Sequence, residues 1–348
     1  MRKLIYITFI SIGALFVSCD NDSYLDEQEE TDKSTISSSN SDMLRFNSSN
    51  DLKVYISRLI DDDIDLDEES KNRAERNEHI SLLYLYSLNL AELDSININR
   101  KKIAIVNSYD DMLHFLLNKN GEIRLENFIY RINGDFVFKY NIGNANDIRN
   151  FMVAYNNGRV RIERGETIEY TRNLTVYMHD NNESIADDLS DTILYRNGSN
   201  ANKSTFTDKS VTSYTYFPSG NTKMRSRQFN GFWFFYSAIG ASTKTKIRIT
   251  YWYWWFGWHQ ASYWQTKKTD NRLTYDMTYT ITNLIFGESY EETAVGNKYC
   301  NCYRAKRTFN FAVGVPAPLY YTPSTGQTHH WSHWYSENPN VVNKYLYY

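Results

Sequence analysis

From Arg272 to Ile281 every second residue is apolar or aromatic. Leu273, Tyr275, Met277, Tyr279 and Ile281 fall on one side of an extended chain, and Thr274, Asp276, Thr278 and Thr280 on the other. A helix would scatter these positions around its circumference. A strand buries one row and leaves the other in water. Phe309, Phe311, Val313 and Val315 repeat the pattern, and polar turns separate such blocks from Phe229 onward. The 29 tyrosines and 8 tryptophans, with frequent threonine, favour strands throughout. Residues 226–348 are therefore expected to form an antiparallel β-sandwich or a related barrel.

Upstream the period changes. Leu52, Tyr55, Ile56, Leu59 and Ile60 mark an amphipathic helix that Ser49 or Asn50 caps. A second helix is expected from about Glu69 to Leu90, burying Leu82, Leu83, Tyr86 and Leu90. A third, with Ser108 and Asp111 as a capping box, carries Met112, Leu113, Leu116 and Leu117. Glu122–Ile132 and Asp135–Tyr140 then read as two strands about a tight turn at Asn133-Gly134. The fold class is α+β: N-terminal helices with a small antiparallel sheet over residues 43–178, then the C-terminal sandwich. Residues 179–225, rich in Asn, Ser, Asp and Thr, read as a polar linker or long loops.

Residues 1–18 are a signal peptide. Arg2 and Lys3 precede an uncharged apolar run, Leu4–Val17, too short for a membrane-spanning helix. Phe16-Val17-Ser18-Cys19 resembles a bacterial lipobox, which makes Cys19 the lipidation site. The rest of the chain has no second apolar run long enough to span a bilayer. Residues 19–42 read as an acidic, disordered tether, with six carboxylates in Asp20–Glu30. The formal charge of −3 over 348 residues lacks the basic field that nucleic-acid binding needs.

Together the lipobox, the acidic tether, Leu116–Asn141 and Arg225–Arg248 resemble a group of Bacteroides surface lipoproteins classed only as a domain of unknown function. There too an N-x-x-G-x-I turn leads a small hairpin, and a basic segment leads an aromatic strand and a G-x-x-TK turn. The resemblance covers roughly residues 43–258. It implies an outer-membrane location with the chain facing the cell exterior, since an acidic run behind the lipidated Cys is the export signal in these bacteria. It lends no catalytic residue. Bacteroidota also glycosylate Asp-Ser/Thr-apolar triplets, which makes Ser95 and Thr192 candidate O-glycosylation sites.

Thr250–Trp264 places nine aromatic rings in fifteen residues. Split by parity, one face reads Ile247, Ile249, Tyr251, Tyr253 and Trp255, a core face. The other begins polar at Lys246, Arg248 and Thr250, then turns aromatic at Trp252, Trp254 and Trp258. Aromatic strands usually pack into cores. The competing readings are a glycan or peptide platform, with His259, Tyr263 and Trp264 beside it, and a membrane-interface contact. Thr328–Tyr335 is a second candidate, with His330, Trp331, His333 and Trp334 as a binding loop. His329 and His333 share a metal only if helical, and no Glu lies between them as in HExxH. Cys300 and Cys302 are a candidate disulfide, at the limit of reach for an ideal strand.

Seven acids in Asp61–Glu69 suggest calcium, but Leu66 and Asn72 stand where an EF-hand loop needs Gly and Glu. The run reads better as a lead-in to a helix. No nucleophile elbow, phosphate loop or cysteine-protease signature occurs, and nothing implies a cofactor or a metal. Asp276 and Glu288 keep a glycan-processing enzyme as an alternative. The leading expectation is a non-catalytic surface module that binds a glycan or an outer-membrane protein partner. The other alternative is a structural subunit of an outer-membrane complex.

Overall fold

In the computed structural model, residues 43–179, 210–253 and 259–348 are described; for residues 90, 251–253 and 259–261 only the backbone is. Cys19, Thr192, Trp254 and Trp258 lie outside the described residues.

The N-terminal section opens with β1 (Arg45–Phe46) and α1 (Ser49–Asp61). Ser48, one residue ahead of the expected cap, accepts from the Asp51 amide, and Leu52, Ile56 and Leu59 form the buried stripe. The single helix expected over 69–90 is three: α2 (Leu66–Glu75), α3 (Leu82–Ser87) and α4 (Leu90–Ser95). Asn77 turns left-handed after α2, and Ser81 and Asn89 each cap a new start. These competing caps outweigh the continuous apolar spacing. After a 3-10 turn (Arg100–Lys102) comes α5 (Asp111–Leu116), capped by Asp110 rather than Ser108.

The first sheet comprises β1 with β2 (Glu122–Leu125), β3 (Phe128–Asn133), β4 (Phe136–Asn141), β5 (Thr167–Thr171) and β6 (Leu174–Met178), in the order β1-β2-β3-β4-β6-β5. It is antiparallel except for the parallel β1–β2 pair. Glu122–Ile132 is a hairpin of its own, with Glu126 at positive φ in its turn, and the next turn falls on Gly134-Asp135. The helix α6 (Ala145–Asn156) packs Ile148 and Phe151 against Phe136, Phe138 and Tyr140 on one face. The other face, through Tyr130, Ile132, Val137 and Tyr177, meets α1, α3 and α5.

Two further sheets form the antiparallel β-sandwich. One is β7 (Val211–Tyr216), β8 (Thr222–Phe232), β9 (Tyr236–Tyr253) and β10 (His259–Lys267), with β13 (Ala305–Val313) end to end with β10 along the 18-residue β9. The facing sheet has the order β12-β11-β14-β15, from β11 (Thr269–Asn283), β12 (Ser289–Cys302), β14 (Leu319–His333) and β15 (Val341–Tyr347). The span expected as linker thus contains β7 and the start of β8. The expected G-x-x-TK turn, Gly240–Lys244, lies inside β9. The reversal falls instead on Trp233-Phe234-Phe235, with Phe234 at positive φ. Gly240 suits a strand here: a Cβ would lie 2.4 Å from the Arg307 carbonyl oxygen and 2.6 Å from the Phe229 ring.

The β8–β9–β13 sheet is buried on both faces. Inward, Gln228, Ile239, Ala241 and Thr243 meet the facing sheet. Outward, Phe229, Trp233, Phe235 and Tyr236 enter the core shared with the helices. Ion pairs align this second contact. Arg304 bonds Asp67 at 3.1 Å and also Asp111. Asp110 accepts from Lys306 Nζ at 2.7 Å and from the Tyr236 hydroxyl at 2.5 Å. Burial pushes the Lys306 ammonium down and, with Asp110 beside it, the Tyr236 hydroxyl well up. The acidic run works at the same seam. Asp65 caps α2 and accepts from the Tyr303 amide, and Asp63 pairs with Lys298.

Asp110→Ala removes a helix cap and leaves Lys306 buried without its carboxylate. Urea denaturation followed by circular dichroism should show a loss of about 3–5 kcal/mol. A loss below about 1 kcal/mol would contradict this account of the seam.

Candidate functional site

Alternation along β14 decides which histidines can meet a ligand. Thr328, His330 and Ser332 point into the sandwich; His329, Trp331 and His333 point out. His330 is fully buried, with Nδ1 2.8 Å from Thr243 Oγ1 and Nε2 2.8 Å from Thr328 Oγ1. The expectation that it contacts a ligand is therefore corrected. Burial, with the nearby His329 adding to it, pushes the imidazole down to about 3 and leaves it neutral and structural. His329 and His333, four residues apart on a strand, stand about 13 Å from each other, too far to share an ion.

The outward residues line up across strands. Tyr299, Arg272, Trp331 and Asn343 occupy one register line across β12, β11, β14 and β15. Asn297, Thr274, His329 and Tyr345 form the next, and Asn301, Asp270, His333 and Val341 flank the first on its other side. His329 stacks on Tyr345 at 4.0 Å and 6° between planes. Tyr345 lies 6.1 Å from Tyr347, again nearly parallel. Trp331 sits 6.4 Å from Tyr299 and 5.9 Å from His333, whose ring centre is 4.0 Å from Tyr335. Tyr299, Tyr335 and Tyr347 are 61%, 67% and 68% exposed. Partial burial and Arg272 hold His329 below the usual imidazole range, so its ring is neutral and stacks as an aromatic. Asp270 accepts from Tyr335 and from Asn301, which hold its carboxyl below the ordinary range.

This face is a row of rings flanked by hydrogen-bonding groups, about 15 Å across four strands. Each ring offers an apolar surface, and Arg272, Asn297, Asn301, Asn343 and Gln327 offer donors and acceptors beside it. No protein-family model, curated protein or solved structure matches this chain. The reading of the face therefore rests on its own chemistry.

The other expected residues are spread. Tyr263 accepts from the Asn89 side chain at 3.0 Å, tying β10 to the start of α4. Trp264 faces the helical section and meets Tyr216 edge-on. Trp252 and His259 stand at paired positions of β9 and β10, opposite Gln260 and Tyr253; their side chains are outside the described set. Trp334 is half-buried just past β14. Asp276 pairs with Val295, seven residues from Glu288, so these carboxylates stand about 23 Å apart along the strand and cannot flank one bond. Cys300 and Cys302 are joined by a disulfide, with Cα atoms 5.3 Å apart. Ser95, with Asp94 and Ile96, is exposed at the end of α4. Sequence reading missed Tyr299, Tyr335, Tyr345, Tyr347 and Arg272. Arg272, Tyr299, Tyr345 and Tyr347 are outward positions of β11, β12 and β15, and Tyr335 follows β14; the period-2 alternation of each strand is in the sequence, but only register makes the rows one surface.

Burial pushes the His114 imidazole down to about 4, and that of His330 to about 3. As pH falls below 6.5 the unfolded chain takes up a proton at each imidazole while the folded chain does not. The stability each contributes is complete above about pH 6.5 and is lost as pH falls toward 4 and 3. Between pH 6 and 5 the two together approach a slope of about 2.7 kcal/mol per pH unit. Urea midpoints across that range should show it, and His330→Gln should remove about half.

Proposed function

We propose that the chain is a non-catalytic glycan-binding module, anchored to the outer membrane through a lipidated Cys19 and facing the cell exterior. The lipobox and the acidic tether support the anchor. Among the described residues no helix is long and apolar enough to cross a membrane.

The observation that carries the binding reading is the outward ring row of Tyr299, Tyr345 and Tyr347, which are exposed, with the half-buried Trp331 and His329 and polar side chains between them. A pyranose has an apolar C–H face and a rim of hydroxyls. The first suits a flat aromatic ring, and the second suits Arg272, Asp270 and the flanking amides. An exposed aromatic surface of this extent is a solubility liability unless it meets a partner. Rings on neighbouring strands, held by a sheet already packed on its inner face, bind with little ordering cost.

A second reading has its own observation. The tip of the β11–β12 hairpin exposes Ile285 at 68% and Phe286 at 73%, an apolar knob suited to a protein partner in an outer-membrane complex. The two readings separate experimentally, because the knob lies beyond the ring row.

Intrinsic fluorescence of the full-length chain in detergent, titrated with plant, host and microbial polysaccharides, should show a saturable change with at least one. Trp331→Ala and Tyr299→Ala should each weaken that binding at least tenfold, about 1.4 kcal/mol, and Ile285→Asn/Phe286→Asn should leave it unchanged. Absence of binding across the panel would reject the glycan reading. For the anchor, a clickable palmitate analogue fed to expressing cells should label the chain. Cys19→Ser should abolish the label and release the protein from the membrane fraction. A labelled Cys19→Ser chain would refute lipidation there.

A further inference from the structure

The two ends of the ring row lie on the two edges of their sheet. Tyr299 belongs to β12 and Tyr347 to β15, the first and last strands in the order β12-β11-β14-β15. Between them the rings run diagonally: across from Tyr299 to Trp331, two residues along β14 to His329, across to Tyr345, and two residues along β15 to Tyr347. Three strand spacings and two such steps put the ends about 20 Å apart. Tyr345 and Tyr347, alternate residues of one strand, are 17° from parallel and form a two-ring wall. His329 backs Tyr345, which stays 43% exposed.

Along the strands the row is bounded on one side by the β14–β15 turn, where Tyr335 leans on His333 and donates to Asp270. On the other side the same face continues as hydroxyl pairs, Thr278 with Thr293 and Thr280 with Ser324. Across the strands the row is open: among the described residues no strand pairs beyond β12 or β15. A groove closed at one end reads the terminus of a chain. A track open at both ends admits a chain that continues past it. Charge narrows the class of chain. Arg272 stands between Tyr299 and Trp331, and Asp270 and Asp276 flank it on the same face of β11. Each is about 7 Å away along the strand, within the Debye length of about 8 Å. Two carboxylates outnumber the one cation, so a ligand carrying carboxylates or sulfates of its own meets like charge, whereas hydroxyls can bond to either sign.

We propose that the row binds the interior of a linear, uncharged polysaccharide, several sugars at a time, with the chain passing over both edges of the sheet. This rests on the glycan reading of the same face. Each ring takes the C–H face of one sugar, and the separate weak contacts add along one chain, as linked sites do.

The test uses calorimetric titration of the full-length chain in detergent. The probes are cello-, xylo-, manno-, laminari- and malto-oligosaccharides from disaccharide to octasaccharide, their parent polymers, and the acidic polymers polygalacturonate and hyaluronate. At least one neutral series should bind, its hexasaccharide at least about tenfold tighter than its disaccharide. Reducing the end sugar of that hexasaccharide to an alditol should leave its affinity unchanged. Tyr299→Ala and Tyr347→Ala should each weaken the hexasaccharide at least about tenfold, and no disaccharide should respond to both. Both side chains are largely exposed, so the fold should survive, which circular dichroism checks. Equal affinity for disaccharide and hexasaccharide, loss of binding on end reduction, indifference to Tyr347→Ala, or binding of the acidic polymers alone would overturn this inference and leave the glycan reading standing. Silence from every neutral and acidic probe would reject both.

Discussion

The β8–β9–β13 sheet is a middle layer, and the rest of the molecule depends on both its faces being buried at once. One face packs on the β11–β14 sheet, the other on helices and on the first sheet. A strand buried on both faces would ordinarily be apolar throughout. Here β8 reads Lys223, Arg225, Ser226, Arg227, Gln228 and Asn230. The fold accommodates this by pairing. Gln228 Nε2 donates to Thr328 and to the Leu346 carbonyl, and Asn230 Nδ2 donates to the Tyr321 carbonyl. On the other face the acidic starts of α2 and α5 meet Arg225, Arg304 and Lys306. Asp67, Asp110 and Asp111 each serve a helix N-terminus and a cation of the sheet together, so helix capping and layer docking are one event.

That arrangement leaves the outer face of the second sandwich sheet free for chemistry. The outer face of the β12–β11–β14–β15 sheet needs no cover, because its inner face already supplies the packing. Its rings sit on a rigid support. The far side of the middle layer is covered, and Lys223, Arg225, Arg227, Lys244 and Lys246 are all buried there. Leu83, Leu88 and Leu93 of the helical section stand across from the last four of these side chains, whose stems are themselves apolar. Both features follow from how charge and rings are distributed over alternate positions of neighbouring strands.

Much of the architecture was legible in the chain. Period-2 runs marked β11 and β13, and Leu52–Ile60 marked α1. The acidic run was correctly read as a helix start, though its bonds to Lys298, Tyr303 and Arg304 needed the fold. Local caps split the long helix, a competition that apolar spacing alone does not report. The span before residue 225 looked like linker because polar composition hid β7 and β8, whose partners are hydrogen-bonding groups rather than apolar side chains. The site was legible only in part. Trp331 and His333 stood out in Thr328–Tyr335, yet reading that segment as a loop put His330 with them. A strand separates them. Tyr299 and Tyr345 come from distant parts of the chain, and only strand register brings them beside Trp331.

The polar face of β8 and β9 has a consequence for how the chain reaches its folded state. If the sandwich closes before the helices dock, the exposed half of its middle layer presents Lys223, Arg225, Arg227, Lys244 and Lys246 to water. Charges spaced along strand faces repel a second copy and discourage sheet-to-sheet association. Only the end bearing Phe229, Trp233, Phe235 and Tyr236 would be adhesive, and that end is the one the helices and first sheet cover. The same lysines and arginines that end up buried in the finished molecule thus act as gatekeepers for its unfinished form.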